Sequence, residues 1–272
     1  MDGFGDPLSQ KDFVGFRRMI FNEAGIHLSD AKKSLVSGRL AKRLGQRGVD
    51  SYGDYLSLIH QDASERQVAV DLLTTNETCF FREPQHFDFL ARHIAPCLKG
   101  RGRIRVWCAA SSTGEEPYTI AMTLAEALGH RRFEILASDI STRVLDTARR
   151  GLYPMADADD IPRGMRARHC LQGIGSHEGW FLIDKPLRDR VRFEQIKLNA
   201  RLPDLGEFDL IFLRNVMIYF NAETKQALLR RLLPHLHADG HLFIGHSESL
   251  HGVTDALQMV KPSVYRQRGL TP

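Results

Sequence analysis

The stretch Val106-Trp-Cys-Ala-Ala-Ser-Ser-Thr-Gly-Glu-Glu-Pro-Tyr118 decides how this chain is read. A short apolar strand runs into small residues, then two acids, then an amphipathic helix. Ala109, Ser111 and Gly114 occupy the three positions of a G-x-G-x-x-G nucleotide loop, with glycine only at the last. Small side chains there let a ligand approach the backbone closely. Glu115 and Glu116 follow at the helix N-terminus, where they would repel a pyrophosphate, so a dinucleotide or nucleoside triphosphate is disfavoured. A cofactor with an adenosine end, no phosphate and a positive centre fits better, and S-adenosylmethionine has those properties.

Outward from this loop, strands alternate with helices. The strands expected are Ile104–Cys108, Phe133–Ser138, Phe208–Leu213 and His241–Gly245; the helices are Glu116–Leu128, Arg143–Arg150 and Ala222–Leu236. Such alternation predicts a parallel sheet covered on both faces. Ligands bind beyond the carboxyl ends of such strands. Asp139 directly follows the second strand, about 25 residues past the loop, close to the spacing at which an acid meets ribose hydroxyls. Arg214-Asn215 directly follows the strand ending at Leu213. Each has a plainer explanation, since Ala109 and Ser111 can simply pack, and Asp139 with Ser141, or Asn215, can cap a helix. The coincidence of all three at strand ends favours a ligand site. Between Tyr153 and Val191 the alternation lapses among Pro154, Pro162, Gly164, Gly173, Gly175, Gly179 and Pro186, which reads as an inserted loop or small antiparallel excursion around Trp180–Ile183. Leu257–Arg266, broken by Pro262, reads as a closing hairpin.

From about Ser9 to Thr75 the pattern is helical only. Phe13, Phe16, Ile20 and Phe21 recur at helical spacing, Gly25 ends that helix, and Ser29 or Asp30 can cap the next, which carries Leu35, Val36, Leu40 and Leu44. Tyr52–His60 and Glu65–Leu73 continue it as a small helical domain. Thr74-Thr-Asn-Glu-Thr-Cys-Phe-Phe-Arg-Glu83 lies at the seam, reading either as a capped helix start with core phenylalanines or as a ligand wall. Lys32, Lys33, Arg39, Lys42, Arg43 and Arg47 follow one another without an intervening acid. Arg39, Arg43 and Arg47 share a helix face, which is either a solvated surface or a ridge that docks an acidic helical partner.

Composition sets bounds. With 272 residues, 43% hydrophobic, the chain can bury one large core or two smaller ones. No run approaches the roughly 18 apolar residues of a membrane helix, and Met1–Asp6 lacks a basic-then-apolar signal pattern. The expectation is an intracellular protein with no direct membrane insertion. Cys79, Cys97, Cys108 and Cys170 form no C-x-x-C pair, and His246 and His251 stand alone, so no metal is expected. A net charge of +4 suits an acidic partner without demanding nucleic acid.

On five strings the chain resembles the chemotaxis receptor glutamate O-methyltransferases, the CheR family: Thr75–Arg82, Ser112–Tyr118, Ala137–Ile140, Phe212–Phe220 and Gly245–Ser249. The resemblance spans nearly the whole chain from Asp12 onward. It implies an α/β fold: an S-adenosylmethionine-dependent, Rossmann-like methyltransferase sheet with an inserted small β-subdomain, preceded by an all-α N-terminal domain. The implied division is a helical receptor-docking domain over 8–76, a connecting segment over 77–102, and a methyltransferase domain over 103–270 with the β-subdomain at about 154–191. The implied reaction moves a methyl group from S-adenosylmethionine to glutamate carboxylates of methyl-accepting chemotaxis receptors. It yields methyl esters and S-adenosylhomocysteine and serves sensory adaptation by a cytoplasmic enzyme recruited to receptor clusters.

Family cofactor positions fall on Asn76, Thr78, Arg82, Glu116, Asp139, Arg214 and Asn215, beside Ala109 of the loop. Tyr219 matches the family's active-site tyrosine. After Arg192–Ile196 relatives carry Asn-Leu where Lys197-Leu198 stands here, so the adenine contact is expected through the Lys197 backbone and Leu198. Arg82 and Tyr219 are the catalytic candidates; Arg82 can hold either the substrate carboxylate or the cofactor's own. Some members pair a receptor C-terminal tail with a glycine-bearing β-subdomain, which points to Gly173, Gly175 and Gly179, although the arginine three positions after the last glycine is here Leu182. Two rival readings compete with this one. A nucleic-acid methyltransferase would suit the pI of about 8.9, but the Asn/Asp-Pro-Pro-aromatic string is absent from Arg214–Tyr219. A non-catalytic cofactor sensor would not need the intact set Arg82, Glu116, Asp139, Asn215 and Tyr219.

Overall fold

A computed structural model describes residues 8–129 and 132–269. The Met1–Asp6 segment and residue 270, the expected domain end, lie outside the described residues. Helix α1 (Gln10–Ala24) starts where the Ser9 hydroxyl accepts the Asp12 N–H and stops at Gly25, whose φ of 73° suits glycine. Its buried stripe is Phe13, Phe16, Ile20 and Ala24; Phe21, expected with them, is 39% exposed because it lies one residue past Ile20 and turns off that stripe. Ser29 opens a 3-10 turn (Asp30–Lys32) without a side-chain cap, and α2 (Lys33–Arg47), α3 (Tyr52–Gln61) and α4 (Ala63–Leu73) follow. Val36, Leu40, Leu44, Tyr55, Ile59 and Val70 close a separate helical core, with Leu35 only at its edge.

The connecting segment is itself largely helical. α5 (Gln85–Phe89), a π turn (Leu90–Ile94) and α6 (Ala95–Leu98) run on continuously and bury Phe87, Leu90 and Ile94.

The second lobe runs β1 (Ile104–Cys108), α7 (Glu115–Leu128), β2 (Phe133–Asp139), α8 (Thr142–Arg150), β3 (Leu152–Pro154), α9 (Arg163–His169), β4 (Cys170–Gln172), β5 (Trp180–Ile183), α10 (Lys185–Arg188), β6 (Val191–Gln195), β7 (Phe208–Leu213), α11 (Ala222–Leu232), β8 (Leu236–Ile244), β9 (Leu257–Lys261) and β10 (Val264–Gln267). The main sheet has the order β6-β2-β1-β7-β8-β10-β9; its first five strands are parallel, and β9 and β10 form the closing antiparallel hairpin. Alternate residues feed two cores. Val106, Cys108 and Phe212 pack toward α7, and Trp107, Ile211 and Leu242 pack toward α11. The insertion forms a second sheet in the order β3-β5-β4. Among the described residues no helix is long and apolar enough to cross a membrane.

Candidate active site

A cavity opens at the carboxyl ends of β1, β2 and β7, against the helical lobe. The β1–α7 loop forms its floor. Ser112, at φ 46°, donates its backbone N–H to Asp139 Oδ2 at 2.9 Å and its hydroxyl to the Asn76 carbonyl at 2.8 Å. Gly114 has φ 102°, and a Cβ there would sit 2.7 Å from the Tyr153 hydroxyl and 2.9 Å from Ala148 Cβ, so only glycine fits. The other Asp139 oxygen accepts the Ser141 N–H at 3.0 Å. Burial pushes the Asp139 pKa up against these N–H donors. An ionised carboxylate offers about four acceptor directions, more than the backbone donors from Ser112, Ile140 and Ser141 fill.

The two acids after the loop part company. Glu116 lines the cavity, whereas Glu115 is buried away from it beside the Thr113 hydroxyl at 2.7 Å. Only one acid, not both, therefore confronts a ligand. Glu116 is held by the Cys108 thiol at 3.2 Å and by an ion pair with Arg214. The fully buried Arg214 guanidinium also pairs with Glu83 at 2.9 Å and lies over the Phe87 ring at 5.4 Å. Burial opposes ionisation of Glu83, but the Arg214 guanidinium outweighs it and holds the carboxyl below its ordinary range. Glu83 further accepts the His246 N–H at 3.1 Å and approaches Asn215 Nδ2 at 3.4 Å.

Asn215 sits at φ 56° because Glu248 clamps the chain, accepting N–H donors from Asn215 at 2.9 Å, Gly245 at 2.6 Å and Met217 at 2.7 Å. A Cβ at Gly245 would come within 2.5 Å of Asn215 Nδ2. Phe81, Glu83, Ser112 and Asn215 are thus four non-glycine residues with left-handed backbone gathered around this cavity.

Asn76, Thr78, Arg82, Ala109, Glu116, Asp139, Leu198, Arg214, Asn215 and Tyr219 all line the cavity. Arg82 donates to the Glu77 carbonyl at 2.9 Å. The Tyr219 carbonyl accepts the His27 N–H at 2.8 Å, tying the wall to the helical lobe. Lys197 is a correction: it does not line the cavity, and its ammonium ion pairs with Glu23 of α1. Sequence reasoning also missed Ser112 and Glu248, both inside family strings, and Ala24 and Ile26, which carried no signal.

The basic ridge is a second correction. Arg43 grips Glu65 with two bonds at 2.7 and 2.6 Å, Arg47 approaches the same carboxylate at 3.4 Å, and the Tyr55 hydroxyl donates to it at 2.8 Å. Arg39 donates to the carbonyls of Leu73 and Thr74 and to the Thr75 hydroxyl. Arg39 and Arg43 turn onto α4, while Lys32, Lys42 and Arg47 stay exposed. In the insertion, a Cβ on Gly173 would overlap the His177 carbonyl at 1.9 Å, and Gly175 and Gly179 have φ 58° and 84°, so the turn itself requires these glycines. Glu83, His86 and His246 bring ligand-type atoms within 4.8 Å of one another. Glu83 is already engaged by Arg214, whose charge opposes a cation there, and burial lowers the His86 pKa to about 3.

The description "CheR methyltransferase, SAM binding domain" matches residues 76–266, and "CheR methyltransferase, all-alpha domain" matches residues 11–74. This chain belongs to the CheR methyltransferase family. The chemotaxis protein methyltransferase of Salmonella typhimurium is 41% identical over 95% of this chain and 90% of its own length. That of Escherichia coli is 44% identical over 89% of this chain and 85% of its own. Chemotaxis protein methyltransferase 2 of Pseudomonas aeruginosa is 40% identical over 94% and 93%. The CheR chain described here is accordingly an S-adenosylmethionine-dependent methyltransferase of chemotaxis, with an all-α domain before the methyltransferase sheet. Its cavity fits that cofactor chemically: small residues at Ala109 and Gly114, Asp139 for hydroxyl groups, and Glu116 and Glu77 among its lining acids for a cationic group.

Proposed function

We propose that this enzyme esterifies glutamate side chains of methyl-accepting chemotaxis receptors. The observation that carries this reading is the composition of the cavity wall. Arg82 and Tyr219 line it together, a planar fork for a carboxylate beside a hydroxyl that can orient it. Methylating an amine or alcohol calls for a group to take a proton. A glutamate side chain, with pKa near ~4.3, is ionised already at neutral pH and needs none. The task left to the protein is to strip water from a weak nucleophile and aim it, worth several kcal/mol.

When bound, S-adenosylmethionine supplies the transferable methyl on its sulfonium. Asp139 offers its open acceptor directions to ribose hydroxyls, Glu116 faces an ammonium group, and Ile196 and Leu198 offer an apolar wall to adenine. The planar fork of Arg82 can hold one oxygen of the acceptor carboxylate and leave the other free. The Tyr219 hydroxyl can orient the attacking oxygen by donating a hydrogen bond. Arg82 can equally grip the cofactor's carboxylate. In Arg82→Ala, loss of cofactor affinity would select that role, and a raised receptor KM alone would select the first.

The division into 8–76, 77–102 and 103–270 belongs to the same reading, with the helical lobe docking the receptor. So does a cytoplasmic enzyme drawn to receptor clusters. A receptor C-terminal tail would add to the open edge of β4, beside Leu171 and Ile174, which are 57% and 84% exposed. Labelled-methyl transfer to receptor cytoplasmic fragments tests the function, with release of label by mild base expected of an ester. Transfer of base-stable label, or to DNA instead, would reject it.

A further inference from the structure

Part of the α2 ridge is taken up by α4, and helix α1 offers a second exposed surface. Opposite its buried stripe runs a second stripe, Lys11, Val14, Arg18 and Phe21, spaced three, four and three residues apart. All four are exposed, Val14 by 41% and Phe21 by 39%. Spacings of three and four are those with which one helix packs along another. This stripe alternates cations with large apolar groups and carries no acid. Among the described residues, Lys11 and Arg18 form no ion pair, whereas neighbouring Arg17 is held by Asp30 at 2.9 Å.

The stripe also leads somewhere. Val14, Arg17, Arg18 and Phe21 border a groove that ends at Ile26 and His27. Ile26 lines the methyl-transfer cavity as well, and the His27 N–H is the one bonded to the Tyr219 carbonyl. Ile218, beside Tyr219, is 48% exposed and extends the apolar surface toward the cavity.

We infer that the α1 groove is the docking track for the substrate helix: an acidic, amphipathic receptor helix whose apolar residues lie on Val14 and Phe21. Its acids face Lys11 and Arg18, and the acceptor glutamate is delivered past Ile26 to Tyr219. Charge complementarity and continuity with the cavity commit the surface to this occupant. The inference rests on the receptor reading and deepens it by naming the face that recognises the substrate.

The test uses the full chain with helical receptor cytoplasmic fragments. Fragment Kd is measured by fluorescence anisotropy, S-adenosylhomocysteine Kd by calorimetry, and KM and kcat by labelled-methyl transfer. Phe21→Asp should raise fragment Kd and KM about tenfold or more, as expected for a central apolar anchor. Arg18→Glu should raise them by about threefold to tenfold and flatten their salt dependence. Both should leave S-adenosylhomocysteine affinity and kcat within about twofold. Wild-type KM in both α1 variants overturns the docking track while the receptor reading stands. A wild-type enzyme that binds S-adenosylhomocysteine yet neither binds nor methylates any receptor helix overturns both.

Discussion

Two arginines in this protein pair with acids in the same way and differ in what surrounds them. Arg43 on α2 and Arg214 after β7 each pair with acids that are largely withdrawn from water. Around Arg43 the partners are complete: Glu65 is filled by Arg43, Arg47 and Tyr55 and faces packed helices. Around Arg214 the arrangement is open on one side, since Arg214, Glu116 and Asn215 all line the cavity. The same ion-pair chemistry serves as a closed strut in one lobe and as a preorganised wall in the other. What distinguishes them is an adjoining empty volume, which side-chain identity alone does not reveal.

The sharpest challenge to this contrast is Arg214→Ala. It leaves two acids without their cation, so it should cost about 3–5 kcal/mol of stability in urea titration and abolish measurable cofactor binding by calorimetry. Glu65→Gln should cost less, about 2 kcal/mol, and leave cofactor affinity unchanged; a loss of affinity would erase the distinction between strut and wall. The pH dependence follows from the lowered Glu65 pKa, caused chiefly by its bonds from Arg43. Its stabilisation is complete above the ordinary glutamate range near ~4.3 and is lost as pH falls through the lowered folded-state value. Urea midpoints of wild type and Glu65→Gln should therefore converge in acid.

Arg82→Ala and Tyr219→Phe come next, each lowering turnover more than about tenfold, or ~1.4 kcal/mol in barrier, with urea midpoints unchanged. Near-wild-type rates would remove these residues from the chemistry. A smaller effect is expected from Asp139, whose pKa is raised by burial. The folded protein takes up this proton at a pH above the usual aspartate range, so S-adenosylhomocysteine affinity should weaken by a few-fold as pH falls into that window. Asp139→Asn should bind weakly but without that pH dependence. The least effect belongs to Lys197→Ala, whose partly exposed pair with Glu23 is worth under about 1 kcal/mol; cofactor affinity should stay within experimental error.

Local signals carried much of the fold into view. The β1 strand, its small-residue loop and α7 are contiguous, so periodicity and turn chemistry declare them together. Arg214-Asn215 was visible for the same reason, as polar residues at the end of a six-residue buried strand. What stayed hidden depends on distant partners. The spacing of Arg39, Arg43 and Arg47 reports a shared face but not that Glu65 of α4 meets Arg43 and Arg47 there. Lys197 meets Glu23 across 174 positions, and Glu83 meets Arg214 across 131. The α5–α6 stretch escaped notice because Pro84 precedes it, Pro96 interrupts it inside α6, and a π turn breaks its 3.6-residue rhythm.

The left-handed residues Phe81, Glu83, Ser112 and Asn215 have an evolutionary consequence. A laboratory search for heat resistance would be drawn to them, since glycine relieves about 1–2 kcal/mol of backbone strain at such positions. Each gain there would delete a side chain from the reaction chamber or loosen its frame, whereas sturdier caps on α2, α3 or α4 carry no such penalty. Thermal hardening of this enzyme should therefore accumulate in the helical lobe, while the chamber keeps its strain.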